Sequence, residues 1–256
     1  MTDPTTTTGI GLTAALDDDS GLPEQVAWAC RILASQGYED LTLGHVSVRT
    51  PDGMMYIKRK GVALSEVAPK DILRFPLEAD LADAPAVMHL EAVLHTEVYK
   101  RRPDVNSVIH GHPVHATAFG ATDARLETLT HDAVLFTDRI STYEGAPDLI
   151  IDAQQGKEVA ESLGAGSVVL LRNHGVLVAE RDAHWAVLTA VLLEKAVQLQ
   201  SIAATLGRLR PIPDTLVRSI HSRKYQDGFP EEYWDAWVRA LRRSGGAAGM
   251  PAEGGE

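Results

Sequence analysis

The sequence predicts an α/β domain in which helices cover a mixed sheet. Its 256 residues are 45% hydrophobic, which is enough to bury a sizeable core within one large domain. Along the chain, stretches with helical spacing of apolar residues alternate with short extended stretches. Such alternation is typical of domains built from a sheet packed against helices.

The predicted domain begins with a helix and a β-hairpin. Residues 22–36 carry apolar positions at helical spacing, and Gly37 follows as a C-cap. Residues 43–49 alternate as in a strand, and residues 54–57 resume the extended pattern after the turn residues Pro51-Asp52-Gly53. The two strands are therefore expected to form a hairpin.

The rest of the domain is predicted as alternating helices and strands, with a flexible tail at each end. Residues 1–20, which contain a threonine run, and the Gly/Ala-rich residues 245–256 are the predicted tails, so that the domain occupies residues 21–244. Further helices are predicted at 87–101, 113–119 and 183–206, the last ending at Gly207, and further strands at 106–110, 133–137, 167–171 and 176–179.

Charge and cysteine content restrict the classes of partner. The net charge of −11 and the pI of about 5.3 argue against a nucleic-acid-binding surface or a basic membrane patch. The single cysteine, Cys30, excludes an intramolecular disulfide and fits a reducing compartment. Because we find no signal peptide and no apolar run of membrane-spanning length, we expect a cytoplasmic protein without a membrane partner.

Three histidines are candidate metal ligands. His110 and His112 follow the apolar run 105–109, and alternate residues of an extended chain project to the same side. His174 follows another predicted strand and precedes Gly175, which lets the backbone turn. Imidazole nitrogens bind zinc, iron and manganese, and three protein ligands with an open position are typical of catalytic sites. The alternative is three unrelated surface histidines.

Glu91 is a candidate catalytic carboxylate near the start of the predicted helix 87–101. His95 and Tyr99 follow it at successive i+4 steps, so the three side chains are expected to share one helix face. A carboxylate is favoured near a helix start, and a nearby dication would keep it ionised. A solvated or salt-bridged glutamate is the alternative.

Four segments occur in the order and spacing of one known family: GHVS at 44–47, EAVLHTEVY at 91–99 with RPDV at 102–105, HGHP at 110–113, and NHG at 173–175. Over residues 22–206 the chain thereby resembles the class II aldolase/adducin family. The resemblance implies a three-layer α/β/α sandwich with a mixed, mainly antiparallel central sheet, assembled as a homotetramer with active sites at subunit interfaces. It also implies one divalent metal ion (Zn, Mn, Fe or Co) on His110, His112 and His174, with Glu91 as the proton-transfer residue.

The chain departs from the sugar-phosphate aldolases of this family at the positions that hold the phosphate. The amide and hydroxyl side chains expected there are replaced by His45, by Lys60-Gly61 and by His89-Leu90. We therefore expect His45, Lys60, Gly61 and His89 to bind a substrate carboxylate or another single anion; the alternative is that they only pack the loop. His131 occupies the loop position where those aldolases bring a tyrosine from a neighbouring subunit, and it is a second candidate proton donor.

The resemblance implies a metal-dependent lyase that acts on a small molecule. In the aldolase type, a carbon–carbon bond next to a carbonyl is made or broken through a metal-stabilised enolate. The missing phosphate-binding side chains leave two other reactions open: decarboxylation of a hydroxylated aromatic acid, and oxygenation by a non-heme iron. A non-enzymatic scaffold, as in the adducin branch, is disfavoured because Glu91 and all three histidines are present.

Overall fold

The central feature of the fold is a mixed sheet that is covered by helices on both faces. The computed structural model describes residues 21–252, so the predicted tail at residues 1–20 lies outside them. Within the described residues the sheet has seven strands in the order β3-β2-β1-β4-β7-β6-β5. Only β5 and β6 pair in parallel; the other neighbours are antiparallel. The predicted α/β/α sandwich with a mainly antiparallel sheet is confirmed.

The strands are short and lie in the middle layer. They comprise β1 (His45–Arg49), β2 (Met54–Lys58), β3 (Ile72–Pro76), β4 (Ser107–Gly111), β5 (Ile140–Tyr143), β6 (Val168–Leu171) and β7 (Gly175–Glu180).

Two apolar cores separate the sheet from its helices. The helices are α1 (Leu22–Leu33), α2 (Val93–Arg101), α3 (Val114–Gly120), α4 (Ala153–Leu163), α5 (Ala183–Leu206), α6 (Asp214–Lys224) and α7 (Phe229–Ser244). One core joins a sheet face to α1, α3, α5 and α7, and the other joins the opposite face to α2 and α4. Val46 and Val48 of β1 point to the α1 side, so His45 and Ser47 point to the α2 side.

Most predicted elements are present, and some differ in kind or extent. The hairpin of β1 and β2 and the helix 183–206 are confirmed, and Gly37, at φ +97°, ends the first helical segment through a wide turn. The prediction of a strand at 133–137 is wrong: residues 133–136 form a buried 3₁₀ turn. An unbroken apolar run without alternation does not distinguish a strand from a buried turn. The helix predicted at 87–101 begins only at Val93.

α5 is the central helix of its layer. By length and composition alone it could cross a membrane, with a mean hydropathy of 1.3 over its most apolar window. However, 67% of that window is buried inside the protein, as in the core helix of a globular domain. The expectation that no apolar run reaches membrane-spanning length is therefore corrected. The burial of α5 explains its apolar composition.

A buried arginine attaches the C-terminal segment to the domain. Arg31 of α1, which is 4% exposed, donates to the carbonyl oxygens of Glu66 and Val67 in the loop before β3. It also donates to the carbonyl oxygens of Gly246 and Ala248, each at 2.6 Å. The first residues of the predicted C-terminal tail are thus bound to α1, whereas residues 253–256 lie outside the described part of the chain. The domain boundary at residue 244 stays a prediction.

Replacing Arg31 by alanine should destabilise the protein by about 2–4 kcal/mol, because several buried carbonyl groups lose their donor at once. The matched control is Arg59→Ala, which removes a half-exposed ion pair with Asp71 and should cost about 1 kcal/mol or less. Thermal unfolding of both variants measures the difference. Equal midpoints would contradict a stabilising role for Arg31.

Candidate active site

His110 lies on the central strand β4 with one ring nitrogen unpaired. Its Nδ1 is 3.0 Å from the carbonyl oxygen of Val176, and because a carbonyl only accepts, Nδ1 carries the proton. The lone pair is therefore on Nε2. That atom is buried, and it has no hydrogen-bond partner within residues 21–252. A buried, unpartnered acceptor on a fixed ring is what a metal ligand requires before the metal binds.

His112 is oriented by a carboxylate and by a glycine. Its Nδ1 donates to Asp40 at 3.0 Å, which again leaves Nε2 as the acceptor. A Cβ atom at Gly175 would lie 2.6 Å from the ring of His112 and 2.6 Å from the carbonyl oxygen of Gly111. Only glycine at position 175 therefore leaves room for this ring.

His174 reaches the same point from the neighbouring strand pair. It follows Asn173, which adopts a left-handed conformation at φ +57°, and its amide donates to the carbonyl of Leu171. One ligand nitrogen from each of His110, His112 and His174 lies within 4.8 Å of the other two. The structure thus brings the three predicted ligands together, and the donor set fits one divalent cation of the zinc, iron or manganese type.

The environment keeps His112 and His174 neutral. Burial, reinforced by the neighbouring His110, lowers the pKa of His174 to about 4. Burial and His110 also lower the pKa of His112, although the Asp40 carboxylate acts in the opposite direction. Because metals bind the neutral imidazole, both rings are ready for coordination at neutral pH.

Glu91 faces the histidine cluster from a 3₁₀ turn, residues 90–92, that precedes α2. Its carboxylate oxygens lie 3.5 Å from Nε2 of His110 and 3.5 Å from Nε2 of His174, and the amide of Ile150 donates to it at 3.0 Å. Burial by itself would raise its pKa, but the neighbouring His110 and the Ile150 amide lower the pKa to about 2. Glu91 is therefore ionised at neutral pH, and one of its two carboxylate oxygens is held by a hydrogen bond.

A fully buried lysine lies beside the predicted anion-binding histidines, and sequence reasoning missed it. Lys58 is 0% exposed; its Nζ donates to the carbonyls of Thr42 and Gly44 and lies 3.4 Å from Nε2 of His89. None of the ion pairs among the described residues includes Lys58. A short basic run such as residues 58–60 usually lies on a solvated face, but Lys58 does not. No sequence signal marks Lys58 as buried, because in a sheet covered on both faces the alternate residues of a strand are buried whichever face they point to.

His45 and His89 lie side by side next to His110. The ring centroid of His45 lies 4.4 Å from that of His89 and 5.1 Å from that of His110. Burial, followed by the charge of Lys58, lowers the pKa of His89 to about 3; burial and His89 lower the pKa of His45 well below its usual value. Both predicted substrate-binding histidines are therefore neutral and adjoin the cluster.

Lys60 and Gly61 lie at the rim of this region. Lys60 is exposed, and its amide donates to the carbonyl of Val87. With His89 and Leu90 it lines a cavity of about 840 Å³. Gly61 adopts φ +81°, which turns the chain away from β2. The substrate-binding roles of Lys60 and Gly61 stay predictions.

His131 lies on an exposed loop away from these contacts. Its carbonyl accepts a hydrogen bond from the Tyr225 hydroxyl at 2.9 Å, and the adjacent Asp132 carboxylate is bound by Lys195 and Lys224. Within the described part of the chain, no hydrogen bond or ion pair joins His131 to Glu91 or to the ligand histidines. Its role as a proton donor stays a prediction that requires a second subunit.

Replacing His174 by alanine should remove most of the bound metal, because two imidazoles hold a borderline cation far more weakly than three. The measurement is metal content per chain after purification without chelators. His221→Ala on α6 is the matched control and should retain full metal content. A His174→Ala protein with wild-type metal content would disprove the three-histidine site.

Comparison with known proteins identifies the family. Residues 24–201 match the model of the class II aldolase and adducin N-terminal domain. The chain is 29% identical over 216 residues to 3,4-dihydroxyphthalate decarboxylase of Arthrobacter keyseri, covering 77% of this chain and 84% of that protein. It is 27% identical to L-fuculose phosphate aldolase of Methanococcus maripaludis strain C5, covering 70% and 94%.

A solved structure shares the fold. L-fuculose 1-phosphate aldolase from Glaciozyma antarctica PI12 superposes with a TM-score of 0.79 at 20% identity, over 97% of each chain. The family match and the assembled histidine–glutamate site make this protein a metal-dependent carbon–carbon lyase. The chain belongs to the class II aldolase/adducin family.

Proposed function

We propose that this lyase acts next to a carbonyl group on a non-phosphorylated, carboxylate-bearing substrate. The observation that carries the proposal is Lys58, a buried cation without a carboxylate partner among the described residues, beside His45 and His89. Uncompensated buried charge is costly, and a substrate carboxylate would supply the missing countercharge. The amide and hydroxyl side chains that hold phosphate in sugar-phosphate aldolases are replaced in this chain by His45, Lys60-Gly61 and His89-Leu90.

The residues of the site divide the chemistry between them. His110, His112 and His174 would hold the divalent ion, which supplies Lewis-acid polarisation of the substrate carbonyl when bound. Glu91 removes a proton from the carbon next to the carbonyl, or returns it, because its ionised carboxylate faces the cluster. The Ile150 amide keeps the carboxylate aimed at that position through its hydrogen bond to Glu91 Oε1.

Decarboxylation of a hydroxylated aromatic acid is the second candidate. Both it and aldol cleavage break a carbon–carbon bond and leave electrons that pass into a neighbouring oxygen. The 29% identity to an enzyme named for decarboxylation of a dihydroxyphthalate supports it, as does the buried cation beside the site. Aldol-type cleavage remains the first candidate because Glu91 is retained beside the cluster.

An assay of the metal-replete protein separates these reactions. The panel comprises pyruvate with aldehydes, hydroxylated aromatic acids, and fuculose phosphate. Pyruvate-dependent aldol product would support the aldolase reaction, and carbon dioxide release without oxygen uptake would support the decarboxylase. Oxygen uptake with bound iron would support the oxygenase alternative. Efficient turnover of fuculose phosphate would contradict the proposed carboxylate-bearing substrate.

We also propose a cytoplasmic homotetramer with active sites at the subunit interfaces. Support comes from His131, which is exposed and held on a loop bound by α5 and α6, and from Leu199, Ile202 and Leu206, which are exposed apolar residues of α5. In such an assembly His131 would serve the site of a neighbouring subunit. The metal is proposed to be zinc, manganese, iron or cobalt, because imidazole suits each of them.

Replacing Glu91 by glutamine should lower kcat by about 10²–10⁴, because an amide cannot carry the transferred proton. Metal content and thermal midpoint should change little. Glu97→Gln is the matched control: it lies on the same helix but pairs with Lys100, and it should retain activity. Wild-type turnover in Glu91→Gln would show that Glu91 has only a structural role.

Replacing Lys58 by methionine should raise the KM for the carboxylate substrate roughly ten- to a hundred-fold, as expected for loss of a charge worth about 1.5–3 kcal/mol. Lys60→Met tests the predicted role of the exposed neighbour and should raise KM less, because solvent screens its charge. Metal content and melting temperature establish that both variants fold. An unchanged KM in folded Lys58→Met would rule out Lys58 as the countercharge.

A further inference from the structure

Four buried polar groups form one continuous hydrogen-bonded chain that ends beside the metal-ligand cluster. Nδ1 of His45 is 2.6 Å from Nε2 of His95, and Nδ1 of His95 is 2.6 Å from the Ser47 hydroxyl. The Ser47 hydroxyl is 2.7 Å from the Tyr99 hydroxyl. All four side chains are at most 2% exposed, so water does not replace any of these contacts.

The Tyr99 end of this hydrogen-bonded chain determines the direction of all three hydrogen bonds in it. Among the described residues Ser47 Oγ is the acceptor within reach of the Tyr99 hydroxyl, because the Val108 amide beside it only donates; the phenol proton is therefore donated to Ser47 Oγ. Ser47 then donates its own proton to Nδ1 of His95. His95 is consequently protonated on Nε2 and donates to Nδ1 of His45. A neutral His45 must then carry its proton on Nε2.

The opposite direction is unfavourable. It would leave the Tyr99 hydroxyl proton buried without an acceptor, at a cost of about 1–3 kcal/mol. Both rings are also neutral, which the assignment requires. Each ring accepts a hydrogen bond at Nδ1, and an imidazolium, which carries a proton on both nitrogens, could not accept there.

We propose that Tyr99, Ser47 and His95 are positioning residues that fix His45 as the Nε2–H tautomer, a neutral donor to an anionic group of the substrate. The anionic group is the substrate carboxylate of the proposed function, and the donation from His45 to the substrate rests on that proposal. The direction of donation itself depends only on the hydrogen-bond chain. Since Nδ1 is bound by His95, Nε2 is the nitrogen of His45 that remains for the substrate.

This assignment also decides between two possible metal sites. Ligand atoms of His45, Glu91 and His110 lie within 4.8 Å of one another, as do those of the three ligand histidines. An Nε2 that carries a proton cannot bind a metal. His45 is therefore excluded as a ligand, and the ion is assigned to His110, His112 and His174.

The test is magic-angle-spinning nitrogen NMR on the zinc-loaded protein labelled with ¹⁵N-histidine, which reports the proton on each ring nitrogen without a substrate. His45→Asn and His95→Asn variants assign the two sets of signals. We expect a protonated Nε2 and an unprotonated Nδ1 for both His45 and His95. A His45 that is protonated on Nδ1, is bound to zinc or populates both tautomers would overturn the proposal.

Tyr99→Phe tests whether the chain sets the tautomer. It removes the hydroxyl that starts the chain, so His45 should change from one tautomer to a mixture of two. Tyr143→Phe is the matched control, because its hydroxyl contacts Glu158 instead, and it should leave the signals unchanged. Unchanged His45 signals in Tyr99→Phe would refute the positioning role. Since no turnover is measured, these results are independent of whether the proposed substrate is correct.

Discussion

The pairing of three central strands is the constraint on which the rest of the site depends. In the β1–β4–β7 segment, His45 lies opposite His110, and Gly111 lies opposite Val176. This register places the H-x-H segment beside the NHG segment, although more than sixty residues separate them in sequence. The carbonyl of Val176 in β7 also fixes the ring of His110 in β4. A shift of the strand pairing by one residue would turn these side chains to the other face of the sheet.

Around that register the protein combines neutral imidazoles with two charges of opposite sign. Burial keeps His45, His89, His112 and His174 unprotonated, which suits metal binding and hydrogen-bond donation alike. The ionised Glu91 faces the ligand histidines, whereas the buried cation lies near His45 and His89. The arrangement therefore separates the carboxylate proposed for proton transfer from the cation proposed for anion binding, although the two lie close together.

Supporting residues hold this arrangement with little freedom. The absence of a side chain at Gly175 makes room for His112, and the Asp40 carboxylate orients that ring. Glu194 of α5 accepts hydrogen bonds from the amides of His115 and Ala116, which anchors the start of α3 just after the H-x-H segment. Such contacts keep a metal centre close to its bound geometry, so that little ordering is needed when the ion binds.

The sequence by itself determined the fold class and which histidines and which glutamate assemble into one cluster, because H-x-H, NHG and the glutamate helix have characteristic spacing. It also indicated the hairpin and the helix 183–206 through their periodicity. Only the tertiary structure decided that Lys58 is buried while Lys60 is exposed. With helices on both faces of the sheet, the alternation of side chains along a strand no longer predicts which of them are buried. Likewise, the direction of the chain from Tyr99 to His45 depends on contacts between β1 and α2, which no local pattern encodes. The strand wrongly predicted at 133–137 has the same cause: its apolar run is buried by the fold and not by pairing in the sheet.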